Sequence, residues 1–180
     1  MTYTNLTSEE LIHKLNKAGR YPHPDLINAI WDRRSETEPM ILALFREAYH
    51  DDWENEDDPR SYRFIHAGSF LLSWKNLDAL PVFADLFMDE LQDLCEWFEE
   101  DMYRFGPAAI PYLRQVLEMD SGGEWHYGRA LSGDTLARIE TCYPDTRDEV
   151  AAALRDQLPS VDAIPNLMED GQMLTSLAAA

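Results

Sequence analysis

The sequence predicts an all-α fold, a solenoid of about four to five helical hairpins, and two internal echoes carry that reading. Asp78-Ala79-Leu80-Pro81-Val82-Phe83-Ala84-Asp85-Leu86-Phe87 is nearly rewritten at Ala108-Ala109-Ile110-Pro111-Tyr112-Leu113-Arg114-Gln115-Val116-Leu117, with proline returning thirty positions after proline. Ala67-Gly68-Ser69-Phe70-Leu71-Leu72-Ser73-Trp74 falls in step with Ser132-Gly133-Asp134-Thr135-Leu136-Ala137-Arg138-Ile139. Self-similarity at such intervals marks an architecture in which each helical unit buries its apolar face only by stacking on its neighbours. Glycine inside a helix costs about 1 kcal/mol against alanine. Two glycines at matching positions, Gly68 and Gly133, therefore point to a shared cause, the close approach of a partner helix.

Taken in order, Thr7-Ser8-Glu9-Glu10 is a capping box that opens a first helix with Leu11, Ile12 and Leu15 on one face, ended by Gly19. Pro24 opens a second, whose Leu26, Ile27, Ile30 and Trp31 recur at helical spacing until about Arg33-Arg34-Ser35. A third is expected to start with Thr37 as cap and Pro39 in its first turn, carrying Ile41, Leu42, Leu44, Phe45 and Ala48 to about His50. The acidic run Asp51–Asp58 would repel itself along a helix and reads as a loop. Asp58-Pro59 then starts a well-covered fourth helix through Trp74. The fifth is the repeated motif, with Asp78 as expected cap and Pro81 in the first turn, where a missing N–H removes no bond.

From Asp89 to Arg104 the helical pattern continues, with a break allowed near Glu99-Glu100; Leu91, Leu94, Cys95, Phe98 and Met102 point inward, and Asp93, Glu96, Glu99, Glu100 and Asp101 outward. Gly106-Pro107 stops it and starts the second motif copy. An eighth helix spans about Glu124 to Tyr143, its opening aromatics Trp125, His126 and Tyr127 packing between layers. Pro144-Asp145 turns into Thr146–Leu158. Residues 1–180 read as one domain, with 161–180 a C-terminal cap and frayed tail.

The motifs Leu80-Pro81 and Ile110-Pro111, each opening a short amphipathic helix, resemble HEAT-like repeats of the kind grouped with phycobilisome-lyase repeats. The wider layout is similar to one bacterial family of unknown function. It shares Ala29-Ile30-Trp31-Asp32-Arg33-Arg34, Thr37-Glu38-Pro39-Met40-Ile41-Leu42 and the helix Tyr62–Leu72, over roughly Leu11 to Leu158. The resemblance implies a HEAT-like α-α superhelix and no assigned activity. Some relatives continue into a Cys-rich metal-binding tail; the matching cysteines do not occur here, and no cofactor-attachment signature of a lyase matches.

Composition narrows the function. Thirty-four acids against 15 bases leave a formal charge of −19, which repels a phosphate backbone and argues against nucleic acid, and with it against the base-excision chemistry of some HEAT-like proteins. No run approaches a membrane span and no leader pattern opens the chain, so a cytoplasmic location is expected. Cys95 and Cys142, far apart in apolar helical patterns, read as reduced core residues.

His50-Asp51-Asp52 with His66 has ligand-type residues in neither EF-hand nor HExxH spacing, so no metal or cofactor is assigned. Glu96, Glu99, Glu100 and Asp101 read as a solvated face, because no nucleophile or oxyanion donor accompanies them. The reading that remains is a non-enzymatic module docking a basic protein partner. Its candidate contacts are Asp51, Asp52, Trp53, Glu54, Glu56, Asp57, Asp58, Glu96, Glu99, Glu100 and Asp101, with Trp53 as aromatic anchor. Two alternatives stand beside it: an immunity-type inhibitor neutralising a basic toxin or nuclease, and a metal-dependent or small-molecule enzyme with a groove near His50 and His66.

Overall fold

In the computed structural model the described residues are 3–50, 58–89, 91–119 and 126–157, with the side chains of Gln92 and Asp93 excepted. They are helical, with no strand among them. In chain order the helices are α1 (Ser8–Leu15), α2 (Pro24–Asp32), α3 (Arg34–Ala48), α4 (Arg63–Trp74), α5 (Leu80–Met88), α6 (Gln92–Cys95), α7 (Ile110–Glu118), α8 (Tyr127–Cys142) and α9 (Arg147–Arg155). Short 3-10 segments at Pro59–Tyr62, Leu77–Ala79, Met102–Ala109 and Pro144–Thr146 lead into α4, α5, α7 and α9. The acidic stretch 51–57, Trp125 and the expected cap at 161–180 lie outside the described residues.

Several starts follow from local chemistry. The Thr7 hydroxyl accepts the Glu10 N–H at 3.2 Å while the Glu10 carboxylate accepts the Thr7 N–H at 2.8 Å, closing the capping box of α1. Pro24 stands at the head of α2, and His23 Nδ1 accepts the Asp25 N–H at 3.1 Å. Pro81 and Pro111 both occupy the first turn of their helices.

Two starts differ from expectation. Asn76, not Asp78, caps the turn into α5, its side-chain oxygen accepting the Asp78 N–H at 3.0 Å. It can do so because α4 ends one residue earlier, at Lys75 in the left-handed region (φ 56°); there Asn76 N–H reaches Leu71 O and Lys75 N–H reaches Leu72 O. Helix α3 begins at Arg34, a turn before Thr37, leaving Pro39 inside the helix. Thr37 is fully buried, and its hydroxyl lies 3.1 Å from both Ile30 O and Arg33 O, tying the end of α2 to the start of α3. A cap would have faced solvent; this hydroxyl seals a helix–helix corner.

Helix α1 packs on α2 and α3, α3 on α4, and α8 on α9. The two proline-motif helices, α5 and α7, lie against each other, and both lie against α8. The core centres on phenylalanines from successive elements. Phe45 of α3 stacks on Phe64 of α4 at 4.4 Å between ring centroids and meets Phe83 of α5 at 4.9 Å; Phe98 stands edge-on to Phe83 at 5.2 Å and to Phe64 at 5.9 Å. Edge-on and offset ring pairs add about 0.5–1.5 kcal/mol beyond their burial. Buried Arg63 bridges three helices, donating to Asn16 Oδ1 at 3.1 Å and to Glu47 Oε1 at 3.0 Å.

The paired glycines do not share one cause. A Cβ on Gly68 would lie 2.6 Å from the Phe98 ring and 2.9 Å from that of Phe45, whereas one on Gly133 would meet nothing within 4 Å. The close approach on α8 falls a turn earlier, at Gly128, where a Cβ would sit 1.8 Å from the Phe87 carbonyl oxygen.

Candidate functional site

The expected helix from Asp89 to Arg104 is interrupted. α6 is one turn ending at Cys95, turns follow over residues 96–101, and a 3-10 segment begins at Met102. Leu94, Cys95, Phe98 and Met102 are buried as expected and Leu91 is half-buried against the core, so the inward face survives the break. The break follows from tertiary anchoring: Phe98 must reach the ring cluster and the bare backbone of Gly68. Holding Phe98 there turns the intervening residues outward.

Those residues are most of the described acids singled out from the sequence. Glu99 accepts the Tyr127 hydroxyl at 2.8 Å, and that carboxylate, with burial second, pushes the Tyr127 phenol up to about 12. Asp101 pairs with Arg104 at 2.8 Å. Glu96 and Glu100 are exposed, and among the described residues neither carboxylate has a cation within 4.0 Å, although the Arg138 guanidinium donates to the Glu100 backbone carbonyl at 2.8 Å. Between them Trp97 is 50% exposed. The aromatic anchor expected from the sequence, Trp53, lies outside the described residues; Trp97 carries the same signal, a tryptophan set among acids.

Asp58 belongs to a different element, at the start of the turn into α4. Its carboxylate accepts the Arg60 backbone N–H at 2.9 Å and the Arg60 guanidinium at 2.6 Å; that side-chain bond and then the backbone bond hold it down to about 2. Asp58 thus serves as a local cap of the turn into α4.

His66 points into the protein. Its Nε2 lies 2.7 Å from Gly19 O, its ring stacks on Tyr62, and burial lowers its pKa, so the neutral imidazole donating to that carbonyl is the favoured form. His50, exposed after α3, meets the Tyr49 ring edge-on. Among the described residues no three His, Cys, Asp or Glu side chains converge as a metal site.

Trp31, expected in the apolar stripe of α2, is 48% exposed. It borders a shallow groove of about 150 Å³ with Ile27, His66 and Phe70, and its ring lies 5.7 Å from that of Trp74. The Arg34 guanidinium lies over the Trp74 indole, 5.5 Å from the ring centroid.

The cysteines divide. Cys95 is fully buried, with its thiol toward Leu86 O at 3.6 Å; burial first, then Glu99, pushes it up to about 12. Cys142, expected in the core, is exposed on α8, whose buried face is supplied by Ser132, Thr135, Leu136 and Ile139 instead. Since the thiolate is the reactive form, an alkylating reagent at neutral pH is expected to modify Cys142 alone in the native protein and both cysteines in denaturant. Mass spectrometry of the tryptic peptides reads the difference, and labelling of native Cys95 would contradict its burial.

Among the described residues no helix is long and apolar enough to cross a membrane. Comparison with known proteins finds no family model, no curated protein and no solved structure that matches the chain. The fold and the site define a class: an all-helical domain of strongly acidic composition, in which a break after α6 presents an indole between carboxylates that have no ion-pair partner among the described residues.

Proposed function

We propose that the protein is a non-enzymatic interaction module, a HEAT-like superhelical stack that docks a basic protein partner. The observation that carries this reading is Trp97, half exposed between Glu96 and Glu100 on a segment pinned from beneath by Phe98. A lone exposed tryptophan is ordinary. One flanked by exposed carboxylates matches an incoming Arg or Lys twice, through charge and through the ring face. Side chains of this kind, held rigid by a buried neighbour, supply most of the energy of an interface. The −19 charge supports the same polarity of partner by steering it in, and a narrower form of the reading, inhibition of a basic toxin or nuclease, rests on that charge too.

The test is differential capture. Wild-type protein and the variants Trp97→Ala and Glu96→Gln/Glu100→Gln, matched for thermal midpoint, are immobilised and exposed to the same lysate at low and high salt. A partner held by wild type at low salt should be released at high salt, with affinity reduced about 30-fold by Trp97→Ala. Identical retention by wild type and Trp97→Ala would overturn the reading.

A further inference from the structure

A stretch where the charge balance inverts lies at the other end of the described chain. From Leu11 to Pro24 the sequence carries no Asp or Glu, yet it holds Lys14, Lys17 and Arg20, including two of the only three lysines in the protein. The fold gathers part of this stretch around a cleft of about 500 Å³ lined by Tyr3, His13, Lys14, Lys17, Tyr21 and His23. That size falls within the roughly 300–1,000 Å³ of small-molecule sites.

Of the acids nearest in sequence, one is drawn away from the cleft and one stands at its rim beside His23. Glu10, one turn before Lys14, is turned back to the Thr7 N–H by the capping box, and Asp25 lies 3.6 Å from His23. Among the described residues neither Lys14 nor Lys17 has a carboxylate within 4.0 Å. Of the two rings Tyr21 is the open one, whereas Tyr3 is half-buried against the core. Tyr21 is 81% exposed, with the Arg20 guanidinium 5.7 Å from its ring centroid, and Tyr3 sits 6.0 Å from the His23 ring.

Lysines near a helix C-terminus are favoured by the helix dipole alone. The dipole does not account for a cleft between them, the open ring of Tyr21 and the half-buried ring of Tyr3. We propose that this cleft binds a small phosphorylated aromatic molecule of the nucleoside-monophosphate type, its phosphate on the ammonium groups of Lys14 and Lys17 and its ring on Tyr21 or Tyr3. A phosphomonoester carries about −1.5 to −2 charge at pH 7, matching two ammonium groups. Lysine serves phosphate as a point charge. A long polyanion would meet the acidic remainder of the surface; a compact one sits within the roughly 8–10 Å over which the local cations act unscreened. The site shares no residue with the proposed partner surface, so each stands or fails separately.

The full chain is titrated by calorimetry with adenosine monophosphate, inorganic phosphate, adenosine and an oligoglutamate peptide. The monophosphate is expected to saturate one site and to bind at least about tenfold more tightly than phosphate or adenosine. Lys14→Gln/Lys17→Gln should weaken it by about tenfold or more, Lys14→Arg/Lys17→Arg should retain most of the affinity, and Tyr21→Ala should bring it toward that of phosphate. All these positions are exposed or at the rim, and circular dichroism checks that the fold persists. Absence of saturable monophosphate binding, monophosphate no tighter than phosphate, indifference to the double glutamine variant, or binding of the peptide alone would each overturn the proposal.

Discussion

Gly128→Ala is expected to destabilise the fold by about 3 kcal/mol or more, at the upper end of what overpacking a core costs. The added Cβ would lie 1.8 Å from the Phe87 carbonyl oxygen, 2.6 Å from its carbonyl carbon and 3.0 Å from its Cα. These are backbone atoms at the end of α5, so no rotamer change clears the space, and α8 would have to move away from α5. Helix α8 also packs on α7 and α9, so displacement strains contacts well beyond the substituted site. Gly133→Ala, on the same helix with nothing within 4 Å, supplies the control: it should stabilise by up to about 1 kcal/mol through helix propensity and a less flexible unfolded chain. Urea denaturation of the two variants reads both signs. A Gly128→Ala midpoint equal to wild type would mean that α5 and α8 do not meet this closely.

Phe98→Ala is expected to cost about 3–5 kcal/mol, the range for a large aromatic truncated in a core that does not collapse. Phe98 is 1% exposed, touches the rings of Phe45, Phe64 and Phe83, and fills the space left by the missing side chain at Gly68. It is also the inward anchor of residues 96–101, so its loss should loosen that stretch before the rest of the fold. Cleavage by a glutamyl endoprotease at Glu96, Glu99 and Glu100 should accelerate in Phe98→Ala under conditions where wild type resists. Phe98→Leu, which keeps most of the volume, should fall between them. Equal cleavage in all three would separate the core from the exposed segment and remove the physical support for Trp97 as a rigid anchor.

The limits of sequence reading show in particular residues. Thr7 with Glu10, and Pro24, Pro81 and Pro111, act on their own backbone within one turn, and each opens a helix where its spacing placed it. Gly68 and Gly133 occupy matching positions in matching strings, yet only one is crowded, because crowding depends on a phenylalanine thirty positions away from Gly68 in one case and on open space in the other. Cys95 and Cys142 both sit in apolar patterns, but only α6 turns its cysteine inward. Thr37 has the spacing of a cap and the burial of a corner. Trp31 and Trp97 were legible as large aromatics; their exposure was not, since it follows from which neighbours stop short of them.

What the sequence by itself determined is the all-helical class, the proline-opened helix starts, the inward set Leu94, Cys95, Phe98 and Met102, and the overall negative charge. These rest on interactions within about one helical turn or on composition. Only the tertiary structure decided the pairing of α5 with α7, the break that brings Trp97 outward, and the cationic cleft between Tyr3 and Tyr21. Each depends on contacts between residues distant in the chain, where packing volume and the nearest charge, rather than local spacing, select the arrangement.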